Sequence, residues 1–330
     1  MKKESCIFRV ASRPNEGGGH VNRSLALADH LSKSLKIKFV IDNEGRNWMP
    51  HIKKSGFDSV VIKNFKKEKI AVSILDGYTF SASELQKWRK ISNFLVFICD
   101  HNPSIHCYNL AIFPSRKIID KKNKQILSGL KYALIDKNIH DTKKPRIKQK
   151  ARNILVCFGV LDSKNATGLT ISTLERVLKE NPNLKIKVLL TSKSKHLDKI
   201  KVQISNMKLN IRLVVNRKNI IPLVHNADLS IGAAGNNLLE RTAMGVPSIT
   251  ITTAQNQAHL ANHLNRYKAT INLGSIDKIS IKNFEKTINK LLKNYKLRSA
   301  MSQKGKILVD GLGAKRTSKK ILNLFNQRKQ

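Results

Sequence analysis

Acidic residues are scarce in this chain: 22 Asp and Glu stand against 62 Lys and Arg, a formal net charge of +40. The few acids are isolated along the sequence, which leaves no paired carboxylates for a glycosidase that works with an acid and a base on either side of the bond. Aromatic residues make up only 5%, no C2H2 spacing or RNP aromatic motif occurs, and the positive charge therefore does not imply specific nucleic-acid binding. It fits better with attraction of acidic small molecules such as sugar nucleotides, and with peripheral contact with an anionic membrane, where each basic residue contributes about 1 kcal/mol. No run of 18 apolar residues is present to span a membrane as a helix. The four cysteines, Cys6, Cys99, Cys107 and Cys157, are too scattered for a disulfide framework and point to a reducing compartment. Cys99, His101, His106 and Cys107 have ligand-type side chains, but their spacing matches no common structural zinc pattern, and no metal or other cofactor is expected. The charged start at Lys2 and Lys3 has the look of a signal peptide until Arg9 and Arg13 interrupt the apolar stretch, so it reads as the first strand of a cytoplasmic protein. Neither the dinucleotide fingerprint G-x-G-x-x-G nor the P-loop is found.

What is present is a regular alternation of strands and helices in a chain of 330 residues, long enough for two separate cores. Strands are expected at 6–10, 36–41, 59–62, 70–75, 94–99, 109–113 and 132–135, with helices at 47–55 and 83–90, the latter opened by Ser83 as its cap. Residues 137–152 hold Lys143, Lys144, Pro145, Arg146, Lys148 and Lys150 with hardly an apolar residue, and read as a basic linker between a domain at 1–136 and another at 153–330. The second domain repeats the alternation: strands at 153–158, 185–190, 211–215, 228–232, 247–252 and 270–273, and a helix at 167–180 stopped by Asn181-Pro182. A basic helix at 316–325 closes the chain and is expected to pack back on the first domain. Apolar strands alternating with helices mean parallel sheets covered on both faces, in which ligands bind beyond the carboxyl ends of the strands. Asp76, Tyr78, Asp100 and His101 lie at such ends. The fold class is α/β, two doubly wound Rossmann-like domains facing across a cleft, with a monomer expected.

Two glycine turns carry the chemistry. Gly17-Gly18-Gly19-His20 follows the first strand and opens a helix whose apolar positions are Leu25, Leu27, Ala28 and Leu31. Glycines let the backbone approach a ligand, and the N–H groups and positive dipole end of a helix favour phosphate or carboxylate. A histidine held there has its charged form disfavoured, which suits it to take a proton from water or a hydroxyl. In the second domain, Ile231-Gly232-Ala233-Ala234-Gly235-Asn236-Asn237 again joins a strand to a helix, with Asn236 read as its cap and Glu240 one turn in, placed to hold ribose hydroxyls.

Taken together and in order, these motifs resemble GT-B nucleotide-sugar enzymes. More closely, the chain is similar to the UDP-2,4-diacetamido-2,4,6-trideoxy-beta-L-altropyranose hydrolases of pseudaminic acid biosynthesis (PseG) and the related spore-coat SpsG proteins. The matching positions are Arg9 with Gly17-x-Gly19-His20-Val21-x-Arg23, Asp76-Gly77-Tyr78, Phe158-Gly159 with Asp162 and Asn165, Ala227-Asp228, Ile231-Gly232-Ala233, Glu240-Arg241, Gly245, Pro247, Gln255-Asn256-Gln257, and Asp310-Gly311-x-Gly313-Ala314-x-Arg316. The resemblance implies hydrolysis of a UDP-linked amino sugar at the anomeric C–O bond with inversion, without a metal, for surface glycans. It implies His20 as general base and Tyr78 and Asn256 as residues that position the substrate. It further implies Gly17, Gly18, Gly19, Arg23, Asp76 and Gln257 on the substrate, and Phe158, Gly159, Gly235, Asn236, Asn237 and Glu240 on UDP. The family carries an acid where Ala11 stands, two acids where this chain has Asp100-His101, Gly-Gly where it has Gly159-Val160, and Gly-Ser-Thr where it has Gly235-Asn236-Asn237. A GT-B glycosyltransferase using a UDP-amino sugar at a membrane surface, and a non-catalytic binding protein, are the other readings.

Overall fold

In the computed structural model, described for residues 3–13, 18–66, 68–78, 80–100, 107–115, 118, 125–207, 210–217 and 219–328, the chain divides into two compact units: Met1–Lys137 with Gly311–Gln330, and Asn138–Asp310. Gly17, His101 and His106 lie outside the described residues.

Unit 1 runs β1 (Glu4–Val10), α1 (Gly19–Leu31), β2 (Leu35–Ile41), α2 (Met49–Lys54), β3 (Asp58–Val61), β4 (Ile70–Asp76), α3 (Ala82–Ile91), β5 (Ser92–Ile98), β6 (Leu110–Phe113) and β7 (Ile126–Ser128). The strands form one parallel sheet in the order β3-β2-β1-β4-β5-β6-β7. Because the chain winds outward from β1 in one direction and then from β4 in the other, the carboxyl ends of β1 and β4 are the topological switch point, where doubly wound sheets bind ligands. Apolar residues on both faces of the central strands explain the arrangement: Phe8, Val72, Ile74, Val96 and Leu27 pack in one cluster, and Ile7, Leu75, Leu95 and Phe97 in another.

Unit 2 contains α4 (Asn138–Asp141), β8 (Asn153–Cys157), α5 (Ala166–Glu180), β9 (Lys185–Leu190), α6 (Leu197–Ser205), β10 (Ile211–Val215), α7 (Ile221–His225), β11 (Leu229–Gly232), α8 (Asn236–Ala243), β12 (Ser248–Thr252), α9 (Ala258–Arg266), β13 (Thr270–Ser275), α10 (Ile281–Lys293) and α11 (Tyr295–Leu308). Its sheet is also parallel, ordered β10-β9-β8-β11-β12-β13, with the switch point between β8 and β11. The last helix, α12 (Gly313–Gln327), belongs to unit 1, where Ala314, Ile321 and Phe325 enter the same core as α1.

Two local expectations are corrected. Residues 132–135 are buried but not a strand, because Ala133 runs under the start of α12, where a Cβ on Gly313 would lie 2.2 Å from the Ala133 oxygen. The outermost strand is instead β7. Helix α3 is capped by Ser81 rather than Ser83, its hydroxyl accepting from the Glu84 N–H at 3.1 Å. The basic segment after residue 137 is fastened to unit 2: Arg298 donates to the carbonyls of Lys148 (2.7 Å) and Gln149 (2.9 Å), and Lys148 pairs with Asp228 at 3.1 Å.

Candidate functional site

At the switch point of unit 1, α1 begins at Gly19 with Gly18 as its N-cap, and among the described residues no side chain caps it. Gly18 is required by close approach: a Cβ there would lie 2.6 Å from the Trp48 indole. The first-turn N–H groups thus have no side-chain acceptor among the described residues, the condition under which a helix start can take an anion. His20, in that turn, is 2% exposed. Its Nδ1 lies 2.7 Å from Oδ1 of Asp76, the last residue of β4, which is fully buried.

Asp76 is ringed by donors. Arg23 reaches it through Nε (2.8 Å to Oδ2) and Nη2 (2.5 Å to Oδ1), and the Ser24 hydroxyl donates to Oδ2 at 2.9 Å. The same arginine pairs through Nη1 with Asp100 at 2.6 Å, and Ser115 donates to the other Asp100 oxygen at 3.2 Å. Burial by itself would raise the Asp76 pKa; the charge of Arg23, then that of His20, and their hydrogen bonds reverse this and hold it at about 2. The Arg23 pKa stands well above its usual value, the two carboxylates outweighing burial.

An ionised carboxylate can only accept, so the 2.7 Å contact places the proton of a neutral His20 on Nδ1. Arg23 Nη2 also lies 3.0 Å from Nδ1, but a donor cannot bond a nitrogen that already carries its proton, and the shorter carboxylate contact decides. Nε2 is left as the basic atom; it is buried and has no hydrogen-bond partner among the described residues. The Tyr78 ring stands edge-on to the imidazole, centroids 4.3 Å apart, and is itself 36% exposed. The geometry therefore brings His20, Arg23, Asp76 and Tyr78 together, and turns Arg23 and Asp76 inward to hold the histidine. Ser24 and Asp100 complete this group. Ser24 was legible only as a polar residue on the apolar face of α1.

In unit 2 the corresponding place is the turn from β11 to α8. Gly235, not Asn236, is the N-cap, the helix starting one residue earlier than the expected cap allows, and no described side chain caps it. By contrast α5 is closed by Asp162, whose oxygens accept from Ala166 (2.9 Å) and Thr167 (3.0 Å), and by Asn165. Asn237 donates to the Cys157 sulfur at 3.4 Å, tying α8 to the end of β8. Gly232 fits closely there, since a Cβ would lie 2.0 Å from the Cys157 oxygen. Arg241, fully buried, braces the turn: Nη2 to the Ala233 carbonyl at 2.8 Å, Nη1 to Ser230 Oγ at 3.2 Å and Nε to the Asn237 carbonyl at 3.2 Å. Its burial lowers its pKa, with Cys157 and Glu240 opposing. The Phe158 side chain joins the core, so only its backbone is open to a ligand, while Gly159 turns the chain at φ +95°. Glu240 is half-buried and Asn256 exposed. Gln257 turns back on its own loop, accepting from the Thr253 N–H at 3.0 Å. Among the described residues no group of three or more metal-binding side chains occurs, and the four cysteines are free.

Comparison with known proteins agrees with this architecture. Residues 168–319 match the glycosyltransferase family 28 C-terminal domain. MurG of Acinetobacter baumannii superposes with a TM-score of 0.67 at 13% identity, over 97% of this chain and 99% of that one. The chain has the GT-B, glycosyltransferase-like fold. Its sequence is 22% identical to the spore coat polysaccharide biosynthesis protein SpsG of Bacillus subtilis, over 94% of this chain and 96% of that protein. It is also 26% identical to the uncharacterized protein MJ1062 of Methanocaldococcus jannaschii over 71% of the chain, which spans 53% of that relative's length. Among the described residues of this GT-B chain no helix is long and apolar enough to cross a membrane.

Proposed function

We propose that the protein is an enzyme acting on a UDP-linked amino sugar, in which unit 2 holds the nucleotide and His20 of unit 1 is the general base, with water as the acceptor. The observation that carries this reading is the buried imidazole whose Nδ1 is fixed by Asp76 and whose Nε2 is unpartnered among the described residues. A binding protein has no need of a base held in one tautomer. The SpsG resemblance supports a role in making a surface polysaccharide.

The step balances as an inverting displacement. A water oxygen attacks the anomeric carbon while Nε2 of His20 takes its proton, the C–O bond to the β-phosphate breaks, and UDP departs with the electron pair. Asp76 stabilises the imidazolium that forms, and being pinned by Arg23 and Ser24 it stays ionised throughout. The N–H groups at the start of α8 meet the charge that develops on the diphosphate. Tyr78, edge-on to the imidazole, positions the sugar, and the family resemblance gives Asn256 a substrate-positioning role as well.

A second reading is favoured by the family 28 match: a sugar hydroxyl in place of water makes the same step a glycosyl transfer. Phosphorus NMR of UDP release from UDP-linked 2,4-diacetamido-trideoxy hexoses and UDP-GlcNAc, with no acceptor present, separates the two. UDP appearing with free sugar, and lost in His20→Leu, is the hydrolase result. Binding without release moves the assignment to the transferase.

A further inference from the structure

We infer that unit 2 carries a phosphate-monoester site formed by Lys187, Arg212 and Arg217, in a cavity between strands β9 and β10 and helix α7. It is independent of the nucleotide reading, because β10 stands three strands from β11 in the sheet, about 14 Å away.

Strand alternation decides where these side chains go. Ile186 and Val188 of β9 are buried in the main core of unit 2, and Ile211 and Leu213 of β10 pack against it. Lys187, Arg212 and Val214, at the intervening positions, therefore stand on the opposite face of the sheet. Across from them is the five-residue helix α7, and between the two lies a cavity of about 200 Å³. Three cations line it, Lys187, Arg212 and Arg217, with Val214, Pro222 and Leu223 as its apolar side and no carboxylate among the described residues.

The cations are set where they repel. Register puts Arg212 directly beside Lys187 on the neighbouring strand, and like charges so paired destabilise a sheet. Guarding a sheet edge against aggregation accounts for a basic residue on β10. It does not account for Lys187, since β9 is flanked by β8 and β10. Among the described residues neither side chain has a hydrogen bond or an ion pair. Arg217 is fixed through Nε, which donates to the Asn219 carbonyl at 3.2 Å, and its terminal nitrogens have no partner among the described residues. The α7 side is ordered by Asn226, whose amide donates to the Pro222 carbonyl at 2.8 Å.

A phosphate monoester fits this arrangement. It carries about −1.5 to −2 charges near neutral pH and offers three oxygens to donors arriving from separate sides. Placed between Lys187 and Arg212 it turns their repulsion into binding, which a singly charged carboxylate does less well. The cavity is smaller than the roughly 300 Å³ at which drug-sized ligand pockets begin, so it suits a small ester, whether free in solution or the headgroup of a lipid.

Calorimetric titration with glycerol 3-phosphate, against acetate, and flotation with phosphatidylcholine vesicles with and without phosphatidic acid distinguish these two sources. The full-length chain is compared with Lys187→Glu, with Lys187→Gln/Arg212→Gln, and with a control, Lys282→Gln/Lys286→Gln, which removes two exposed lysines from α10. Both site variants are expected to weaken binding by about tenfold or more, from the loss of charge-assisted hydrogen bonds, and the control to stay within about twofold. Lys187→Glu should also raise the urea midpoint, because the like pair with Arg212 becomes an opposite one, so that its loss of binding is not a loss of fold. Binding of glycerol 3-phosphate assigns a free ester and binding to phosphatidic acid vesicles alone assigns a lipid; either one, lost in the site variants and kept in the control, supports the site. Equal loss in the control means that net charge alone is at work and overturns it. Binding retained in the site variants, no binding of either probe by the wild-type chain, or a lowered midpoint in Lys187→Glu overturns it as well.

Discussion

Arg23 in α1 and Arg241 in α8 occupy equivalent places in the two units, one turn into the helix that follows a switch-point strand, and both are buried. Their electrostatic settings are opposite. Arg23 meets Asp76 and Asp100 and spends its charge inside the protein. Arg241 meets two carbonyls and a hydroxyl. The first arrangement fixes a side chain, because a carboxylate pinned by an arginine can orient a histidine without taking its proton. The second braces a backbone turn, tying the end of β11 to the first residues of α8. The same place in the fold thus holds a buried arginine in two different settings, one paired with carboxylates and one hydrogen-bonded to carbonyls and a hydroxyl.

The comparison is broken most sharply at the base. His20→Leu should lower turnover by about two to four orders of magnitude, the usual worth of a positioned general base, while UDP affinity stays within a few fold; a titration and a rate assay on the same preparation check both. Next is Arg23→Met, which strands two carboxylates and should cost about 3–5 kcal/mol in urea unfolding, with UDP binding to the folded protein little changed. If the variant keeps its stability and loses UDP binding instead, Arg23 faces the ligand and the contrast with Arg241 fails. The acid limb of the stability curve is a finer probe. Asp76 is held at about 2 in the folded chain, against about 3.9 for a free aspartate. The folded pKa is the lower one, so its contribution is present above about pH 4, is lost as the pH falls towards 2, and amounts to about 2 kcal/mol. Asp76→Asn should flatten the unfolding free energy between pH 4 and pH 2. The smallest expected effect is in the other unit: Glu240→Ala should weaken UDP binding by about tenfold or less, the worth of one hydrogen-bonded group, and an unchanged isotherm would move the ribose away from α8.

The sequence by itself determined the class of fold and the two turns. Strand periodicity and glycine turns depend on residues near one another in the chain, so β1, β8 and β11 and the starts of α1 and α8 were legible from local pattern. Asp76 is legible in the sequence as a strand-end carboxylate, but the partners it meets are not. Only the tertiary structure, by bringing residues 20, 23, 24, 76 and 100 to one point, turned it inward. The segment at 132–135 was apolar enough for a strand, and it was its packing under α12, nearly 180 residues away in sequence, that kept it out of the sheet. Arg241 carried a faint signal, a charge three residues from Leu238 on the buried face of α8. Spacing could place it on that face, but whether a carboxylate or a carbonyl waited there depended on β8 and β11 meeting behind the helix, a long-range pairing that no local pattern encodes.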